Sequence, residues 1–514
     1  MAKKAQVEQE LELSDVIPSP LLAKTHQHQR AQSFCTAGSN DFELGGDNSP
    51  LSCSSISPSV RAIPFTKRFT ADVAGGEMIR TEDSTNATKG EKYLLGNVLS
   101  NSCGSTRTNS RVYSIFLLLN SMIGSGVFNI PHVFCKAGLV SSYVLLTFSA
   151  VLVYLGLVVL VQVSEFHPEL KDYAALAEHV FDHSPWASRL VDFFIMVIGF
   201  GSLLSYIAAI SSIVHELLLS WSAGHVNHLL VTSGIMVVFV FPLCLQRYYG
   251  HFSFISIFSM GSVGCVLALV VVGGQFYAAE WGGGGGPGFT PVLVRGNPVT
   301  QLGSVIFTFS CASATFHTFK YMKVKTVQEW RIVCRWTVFL GWLLCMAMGT
   351  GGYLAFGTKT NGIILANFRR GHVGDFFQIL FILHLVLYIP LDFLVARHSL
   401  LRMCGYERGA FVNNKHHVLL CFVLLAIFVT VIFVLDGLGL VLGDIFSAIL
   451  NFTGGLGGSV ISFVLPAAMF LRQRFRGSGG VIELLPCAFM LFVGIAIALY
   501  VPTITVMNSV SANK

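Results

Sequence analysis

Residues 120–131 read Asn-Ser-Met-Ile-Gly-Ser-Gly-Val-Phe-Asn-Ile-Pro, inside an apolar stretch that runs from Val112 to Gly138. A glycine in a helix costs about 1 kcal/mol relative to alanine, and a proline in the interior costs about 3 kcal/mol. At bilayer depth, backbone without helical partners is tolerated only where protein or a water-filled cavity satisfies it. The stretch therefore predicts a discontinuous membrane-spanning helix whose second half begins near Gly126. Close helix packing through small residues is the alternative.

Similar apolar stretches recur to the end of the chain, each long enough to cross a hydrocarbon core of about 30 Å. The composition agrees, because 53% of the 514 residues are hydrophobic and only 12% are charged, whereas soluble domains have about 25% charged residues. Apolar residues on all sides of each stretch indicate helices and not barrel strands. We predict an all-α polytopic membrane protein with eleven transmembrane helices, namely Val112–Gly138, Leu139–Ser164, Leu190–Trp221, Leu229–Leu245, Phe252–Tyr277, Gln301–Phe319, Ile332–Phe356, Phe376–Ala396, His417–Leu435, Val441–Leu471 and Ile482–Val501.

The first 110 residues differ from this body. They are polar, and the 12 basic residues up to Arg111 are matched by 12 acidic residues. Such a segment cannot bury enough apolar surface to offset its ordering entropy. The predicted organisation is a disordered cytoplasmic tail (1–110), a transmembrane domain (111–505) and a short C-terminal tail (506–514). The N-terminal tail is either simply solvated or binds a cytoplasmic partner.

The basic residues after Arg111 predict the orientation. If the tail is cytoplasmic, 15 of the 21 lie in inner loops and 6 lie on the outer side, as the positive-inside rule requires. An odd number of spans then places the C-terminus outside. Residues 173–181 have an amphipathic pattern typical of a short helix on the cytoplasmic face. The glycine run from Trp281 to Gly288 indicates a flexible outer loop.

The sixth predicted span has a second anomaly. Residues 308–315 read Thr-Phe-Ser-Cys-Ala-Ser-Ala-Thr, so small and hydroxyl side chains dominate at lipid depth. Transporters built from inverted repeats place discontinuous helices at corresponding positions of their two halves. Spans one and six are the first members of two five-helix halves, which favours a 5+5 inverted repeat followed by one extra helix. Packing through Ser and Thr is the alternative for span six.

Residues 120–138, NSMIGSGVFNIPHVFCKAG, resemble the first helix of the amino acid/auxin permease family, and most of all its sodium-coupled neutral amino acid transporter branch. Weaker similarities to later helices of that family occur at FTFSC (307–311), YLAFG (353–357), DIF (444–446), GG (454–455) and FVLPA (463–467). The resemblance implies eleven helices in a LeuT-like inverted repeat, and secondary active transport of amino acids.

We predict that a small amino acid binds between the two anomalous segments. The free N–H groups and positive dipole end of the second half-helix suit its carboxylate, which would contact the amides of Ser125, Gly126 and Val127. Carbonyl groups of residues 120–123 and 309–312 would hold its ammonium group. No acid lies in either segment, which favours neutral over cationic substrates. The predicted binding residues are Asn120, Ser121, Gly124, Ser125, Gly126, Val127, Phe309, Ser310, Cys311, Ala312 and Ser313.

The predicted ion-coupling residues are Asn120, Ile123 and Asp392. Asn120 matches the sodium-associated Asn of the family, but residues 387–390 (Leu-Tyr-Ile-Pro) lack the Thr that the family has before this Pro. Na⁺ and H⁺ are therefore both open as coupling ions. A charge at the bilayer centre costs at least about 2.5 kcal/mol, so Asp392 needs an explanation. It is a proton carrier if it is isolated, a structural residue if Arg397 pairs with it, and a sodium ligand as the third alternative.

Other classes of function are less compatible with the sequence. No nucleophile–base pair or paired-His motif occurs at lipid depth, which argues against an enzyme, and the 12 Cys include no CxxC pair that would indicate a metal site. No cofactor is predicted beyond a coupling ion, and the predicted partners are an amino acid and the lipid bilayer, not nucleic acid. A transporter-like amino acid sensor that signals through the tail is the alternative function. Plasma membrane and vacuole or lysosome are both compatible locations.

Overall fold

The computed structural model describes residues 109–167, 170, 172–221, 226–246, 253–276, 290–368, 371–406, 414–439, 441–475 and 481–512. The predicted tail lies almost wholly outside these ranges, as does the glycine run from Trp281 to Gly288. Within them the backbone is helix, turn or loop, apart from one isolated bridge between Asn109 and Met322.

The α-helical segments are numbered here in chain order. They are α1 (Arg111–Met122), α2 (Ile130–Ala137), α3 (Leu139–Glu165), α4 (Tyr173–Val180), α5 (Pro185–Ser220), α6 (His228–Cys244), α7 (Ser253–Ala268), α8 (Leu302–Phe309), α9 (Thr315–Lys320), α10 (Val327–Phe356), α11 (His372–Met403), α12 (Asn414–Gly437), α13 (Leu442–Thr453), α14 (Leu465–Phe475) and α15 (Val481–Ala512). Segments of π-helix, Gly454–Gly458 and Val460–Val464, join α13 to α14. Such wide turns often occur at functional positions.

The predicted all-α polytopic membrane fold is confirmed. Nine helical spans in the described ranges are long and apolar enough to cross a membrane, and the bent pair α1–α2 makes ten. The predicted fourth span corresponds to α6, which is apolar but falls in the shorter class of 10–17 residues. The predicted count of eleven is therefore not confirmed.

Some boundaries differ from those predicted. The helix of span eight continues beyond Ala396 to Met403, so Asp392 lies about three turns inside α11 and not one turn from its end. The last helix continues to Ala512, so most of the predicted C-terminal tail is helical. The short amphipathic helix predicted for residues 173–181 is present as α4, and the side chain of Asp172 caps its first turn.

Large apolar side chains that are exposed on the helices suit a bilayer as the surrounding solvent. Val238 on α6 and Leu499 on α15, for example, are 62% and 68% exposed. Lipid tails are as apolar as leucine, so these side chains carry no penalty there. Helix association must then come from close packing and hydrogen bonds.

Small residues allow α5 to lie very close to α11 and α13. A Cβ atom placed on Gly199 would lie 2.7 Å from the Cβ of Ala396, and one on Gly201 would lie 2.1 Å from Oγ1 of Thr453. Any larger side chain at these two glycines would push the helices apart. The contacts fix span three (α5) against span eight (α11) and span ten (α13). Spans three and eight carry the polar side chains beside the first span.

Asn451 of α13 fixes the position of the sixth span. Its Oδ1 accepts a hydrogen bond from the Ser304 amide at 3.0 Å, and its Nδ2 donates to the Thr300 carbonyl at 2.7 Å and to Oγ1 of Thr505 at 2.6 Å. A buried amide with all three partners is a stable polar anchor. The start of α8 is thus held to α13 and α15.

The beginning of the first span and the end of the sixth lie on the same side of the bundle. The Asn109 amide donates to the Tyr321 carbonyl at 2.6 Å, and the Lys323 amide donates to the Asn109 carbonyl at 3.0 Å. Beside this bridge, Arg111 forms an ion pair with Glu329 of α10 at 2.7 Å. We call this the Arg111 side; the charge distribution predicts that it is cytoplasmic.

Candidate functional site

The first span is broken, as the sequence predicted. The helix α1 ends at Met122, and Ile123 (ψ 88°) and Gly124 (φ −105°, ψ −150°) leave the helical conformation. A 3₁₀ turn, Ser125–Asn129, then leads into α2, and the two halves are bent by 56°. The first N–H groups after such a break have no acceptor within their own helix.

The sixth span is broken as well, although no Gly or Pro marks the place. The helix α8 ends at Phe309, Ser310 is extended (ψ 103°), and a 3₁₀ turn, Ala312–Ala314, precedes α9. Thr308 Oγ1 donates to the Ser304 carbonyl one turn back at 2.9 Å, a bond that is known to bend helices. The two breaks therefore lie in the two spans that an inverted repeat would pair.

At Gly126 the first break contacts the end of α8, just before the second break. A Cβ atom on Gly126 would lie 2.4 Å from Oγ1 and 3.0 Å from Cα of Thr308. Glycine is therefore needed at this position so that the first span can pack against α8. Close packing through small residues was the alternative that the sequence analysis left open here. Gly124 is different, because a Cβ atom there would make only ordinary contact, 3.6 Å from the Tyr206 hydroxyl.

Polar groups of spans three and eight lie along the broken segment of span one. The hydroxyl oxygens of Ser125 and Ser205 are 3.4 Å apart, and the Tyr388 hydroxyl donates to the Asn120 carbonyl at 3.1 Å. Because α1 ends two residues after Asn120, this carbonyl belongs to its last turn. Tyr388 thus donates from another span to the end of the first half-helix.

Asp392 is hydrogen-bonded to Tyr206, a residue that lies beside the first break. The Tyr206 hydroxyl, which lies nearest to Gly124, donates to Oδ2 of Asp392 at 2.7 Å. The sequence argument that no acid lies in either broken segment therefore missed a carboxylate that packing brings beside the first one. No pattern within span eight alone reveals this contact.

Arg397 does not pair with Asp392. The guanidinium is buried, and it donates to the carbonyls of Cys244 at 3.0 Å and Gln246 at 3.3 Å and to the Sγ of Cys421 at 2.9 Å. It thus caps the end of α6, where a cation interacts favourably with free carbonyl groups. Among the ion pairs within the described ranges, none involves Asp392. The structural pairing that the sequence left open is therefore wrong.

Asn129 is a buried polar residue that the sequence analysis did not include in the site. It ends the 3₁₀ turn of the first break and is fully buried, and neither its Oδ1 nor its Nδ2 has a hydrogen-bond partner among the described residues. A buried unpaired polar group costs about 1–3 kcal/mol, so a native structure needs a reason to keep it. The sequence signal that could have identified Asn129 was its place within the NSMIGSGVFNIP segment.

The predicted site residues differ in exposure. Ser121, Gly124, Ser310 and Asp392 are half-buried, and Ser313 is exposed. The remaining ones are buried, namely Asn120, Ile123, Ser125, Gly126, Val127, Phe309, Cys311 and Ala312. Gly126 packs against Thr308, the residue before Phe309, so the predicted groups of the two spans lie side by side.

His384 and His317, which lie in spans eight and six, are packed against other rings. His384 Nδ1 lies 3.0 Å from the Ser262 hydroxyl, and its ring stacks on Tyr388 with centroids 5.7 Å apart. The ring of His317 lies 5.3 Å from that of Tyr321. Across the described parts of the chain, no group of three or more His, Cys, Asp or Glu residues has an arrangement that could hold a metal ion.

Residues 107–507 match the family described as transmembrane amino acid transporter protein. The chain is 25% identical to vacuolar amino acid transporter 5 of Schizosaccharomyces pombe over 70% of its own length and 83% of that protein. It is 23% identical to putative sodium-coupled neutral amino acid transporter 11 of Danio rerio over 73% of its length and 81% of that protein. The structure is also similar to that of MhsT in complex with L-phenylalanine, with 13% identity and a TM-score of 0.46, over 77% of this chain and 100% of the other.

The family match and the two named relatives confirm the resemblance that residues 120–138 indicated, and with it the prediction of a transporter and not an enzyme. The matched region contains both broken helices and the spans that contact them. Because the match extends over most of its length, the chain belongs to the transmembrane amino acid transporter protein family.

Proposed function

We propose that the protein is a secondary active transporter that moves small neutral amino acids by alternating access and couples this movement to protons. The observation that carries the proposal is the meeting of two interrupted spans at Gly126 and Thr308. Interrupted helices at matching positions hold the substrate in transporters of this architecture. The Danio rerio relative is named as a putative sodium-coupled neutral amino acid transporter, and the word neutral in that name supports the substrate class.

The substrate carboxylate binds at the start of the second half of span one. The amides of Ser125, Gly126 and Val127 form the first turn after the break, where N–H groups have no intrahelical acceptor. The helix α2 continues from this turn and adds the positive end of its dipole. An anionic group is therefore favoured at this position.

The substrate ammonium binds carbonyl groups on the other side of the break. Residues 120–123 contain the end of α1 and residues 309–312 begin at the last residue of α8, and the final carbonyls of a helix lack intrahelical donors. They also carry the negative end of the helix dipole. A zwitterion thus finds a donor set and an acceptor set on opposite sides of the same break.

Asp392 is the proton carrier. Among the described residues its hydrogen-bond partners are hydroxyl groups, since Tyr206 donates to it and Ser202 lies beside it. A carboxylate in low-dielectric surroundings with no cation favours its neutral form, and so can take up a proton from one side and release it to the other. The missing Thr at residues 387–390 removes a sodium ligand of the family, which supports protons over Na⁺.

Reconstitution into liposomes tests the proposal. Purified protein should accumulate a radiolabelled neutral amino acid against its gradient when the outside is acidic, and imposed sodium gradients should add nothing. Saturable binding without flux would contradict transport and support a sensor. Accumulation driven by sodium alone would contradict proton coupling.

The variant Asn129→Leu separates a binding role from a structural one. Leucine has a similar size and no polar atoms, so it removes a buried unpaired amide, and we expect the thermal stability to be unchanged or higher. Uptake should fall at least about tenfold if the amide serves the bound state. Thermal unfolding and liposome uptake are measured on the same preparation.

Asn451→Leu is the matched control. The amide of Asn451 has three partners, so its loss leaves buried groups unpaired and should lower both stability and yield. If Asn129→Leu transports like the wild type, its amide has no part in transport. If it unfolds like the control, its role is structural.

A further inference from the structure

The helix α4 is fastened at its beginning to two membrane spans. Asp172, which caps α4, accepts a hydrogen bond from Arg402 of α11 at 3.1 Å. The same guanidinium also donates to Asp192 of α5, whose carboxylate is buried. Charge-assisted bonds of this kind are about twice as strong as neutral ones. One arginine therefore holds the start of α4 to the paired spans three and eight.

The other end of α4 is also held. Arg472 of α14 donates to the carbonyl of Val180, the last residue of α4, at 3.1 Å, and forms an ion pair with Asp182. The guanidinium lies over the ring of Phe181, 5.3 Å from its centroid. The helix is thus fixed at both ends to spans that contain neither break.

The first residue of α4 reaches the broken sixth span. The Tyr173 side chain is buried, its hydroxyl donates to the Ile461 carbonyl in the π-helical segment at 2.7 Å, and its ring lies 6.1 Å from that of Phe316. Burial raises the pKa of the Tyr173 hydroxyl well above its ordinary value, so it stays a neutral donor. Phe316 is the second residue of α9, directly after the break, and is also buried.

We propose that Tyr173 and Phe316 form a closed gate between the two breaks and the Arg111 side, with Arg402 and Arg472 holding the Tyr173 half of the gate in place. The inference rests on the proposed substrate site between the breaks. Opening toward the Arg111 side moves α9 and Phe316 away from Tyr173, while α4 stays attached to spans three, eight and ten. Tyr173 is a positioning residue and does not touch the substrate.

Cys311 provides a direct measurement of this gate. It lies within the sixth break, five residues before Phe316, and is fully buried. Alkylation of Cys311 by N-ethylmaleimide in detergent, followed by mass spectrometry of its peptide, reports how often the break opens. Tyr173→Ala should accelerate this alkylation about tenfold, since it removes one of two packed rings. Because Tyr173 is on another helix, the change leaves the backbone of the break unaltered.

Phe319→Ala is the matched control on α9, because the ring of Phe319 packs on Trp330 of α10, with centroids 5.7 Å apart. Phe316→Ala should label like Tyr173→Ala, and Phe319→Ala like the wild type. Equal rates in Phe316→Ala and Phe319→Ala would overturn the gate. So would parallel acceleration at Cys345, which is buried in α10 and reports general loosening.

The measurement uses no substrate, so it is independent of the uptake experiment. Accelerated alkylation in a protein that transports nothing would keep the gate and reject the proposed function. Normal uptake by the wild type, with alkylation unchanged in Tyr173→Ala, would keep the proposed function and reject the gate. Tyr173→Phe keeps the ring and loses the bond to Ile461, and it should label more slowly than Tyr173→Ala.

Discussion

Uptake by the Asp392→Asn variant is expected to be insensitive to pH, and at acidic pH to fall at least about tenfold below that of the wild type. Asparagine has the size of aspartate and still accepts a hydrogen bond from Tyr206, but it cannot bind and release a proton. The wild type should take up more substrate at about pH 5.5 than at about pH 7.5, with or without sodium. Uptake should be higher at acidic pH because acid on the side from which substrate binds protonates the Asp392 carboxylate.

Asp375→Asn is the matched control for this prediction. Asp375 lies in the first turn of the same helix, where it accepts hydrogen bonds from Ser220 at 3.2 Å and Trp221 at 2.9 Å. It is far along α11 from the breaks, so the pH response of this variant should match that of the wild type. Sodium-dependent uptake in the wild type, with the pH response kept in Asp392→Asn, would reject the proton role.

Gly126→Val is expected to prevent accumulation of folded protein. A Cβ atom alone would already lie 2.4 Å from one atom of Thr308 and 3.0 Å from its backbone, and a valine adds two methyl groups. Overpacking of this kind costs about 1–3 kcal/mol and sometimes more, which is a large part of the stability of a protein. Fluorescence-detected size-exclusion chromatography gives the yield of monodisperse protein.

Two comparisons show whether the contact is the cause. Gly264→Val in α7 introduces the same side chain where nothing lies within 4 Å, and the yield should be normal. The smaller change Gly126→Ala should also lower the yield, and adding Thr308→Ala should restore part of it. The second substitution removes Oγ1 of Thr308, the atom nearest to the new Cβ, but leaves the Thr308 backbone in place. A Gly126→Val protein that folds normally yet transports nothing would instead show that Gly126 borders the substrate.

The contrast between the two broken spans shows what local sequence can reveal. The first break was predictable because Gly124, Gly126 and Pro131 lower helix stability in their own segment. In the sixth span, residues 310–314 contain no such residue, and only the hydroxyl and small side chains, together with the symmetry of two halves, indicated a break. The predicted count of eleven spans is not confirmed, because α6 falls in the shorter class of 10–17 residues. Helix length decides whether an apolar helix counts as a span.

The sequence by itself determined the membrane-spanning class and the family and predicted the two broken spans, since apolar length and residues that interrupt a helix act within a single segment. The partners of Gly126, Asp392 and Arg397 were decided by the tertiary structure alone. Tyr206 and Asp392 are 186 residues apart in the chain, and Gly126 meets Thr308 from another half of the protein. Which side chains meet depends on the rotation and closeness of packed helices, and these are set by the sum of many small contacts along both helices.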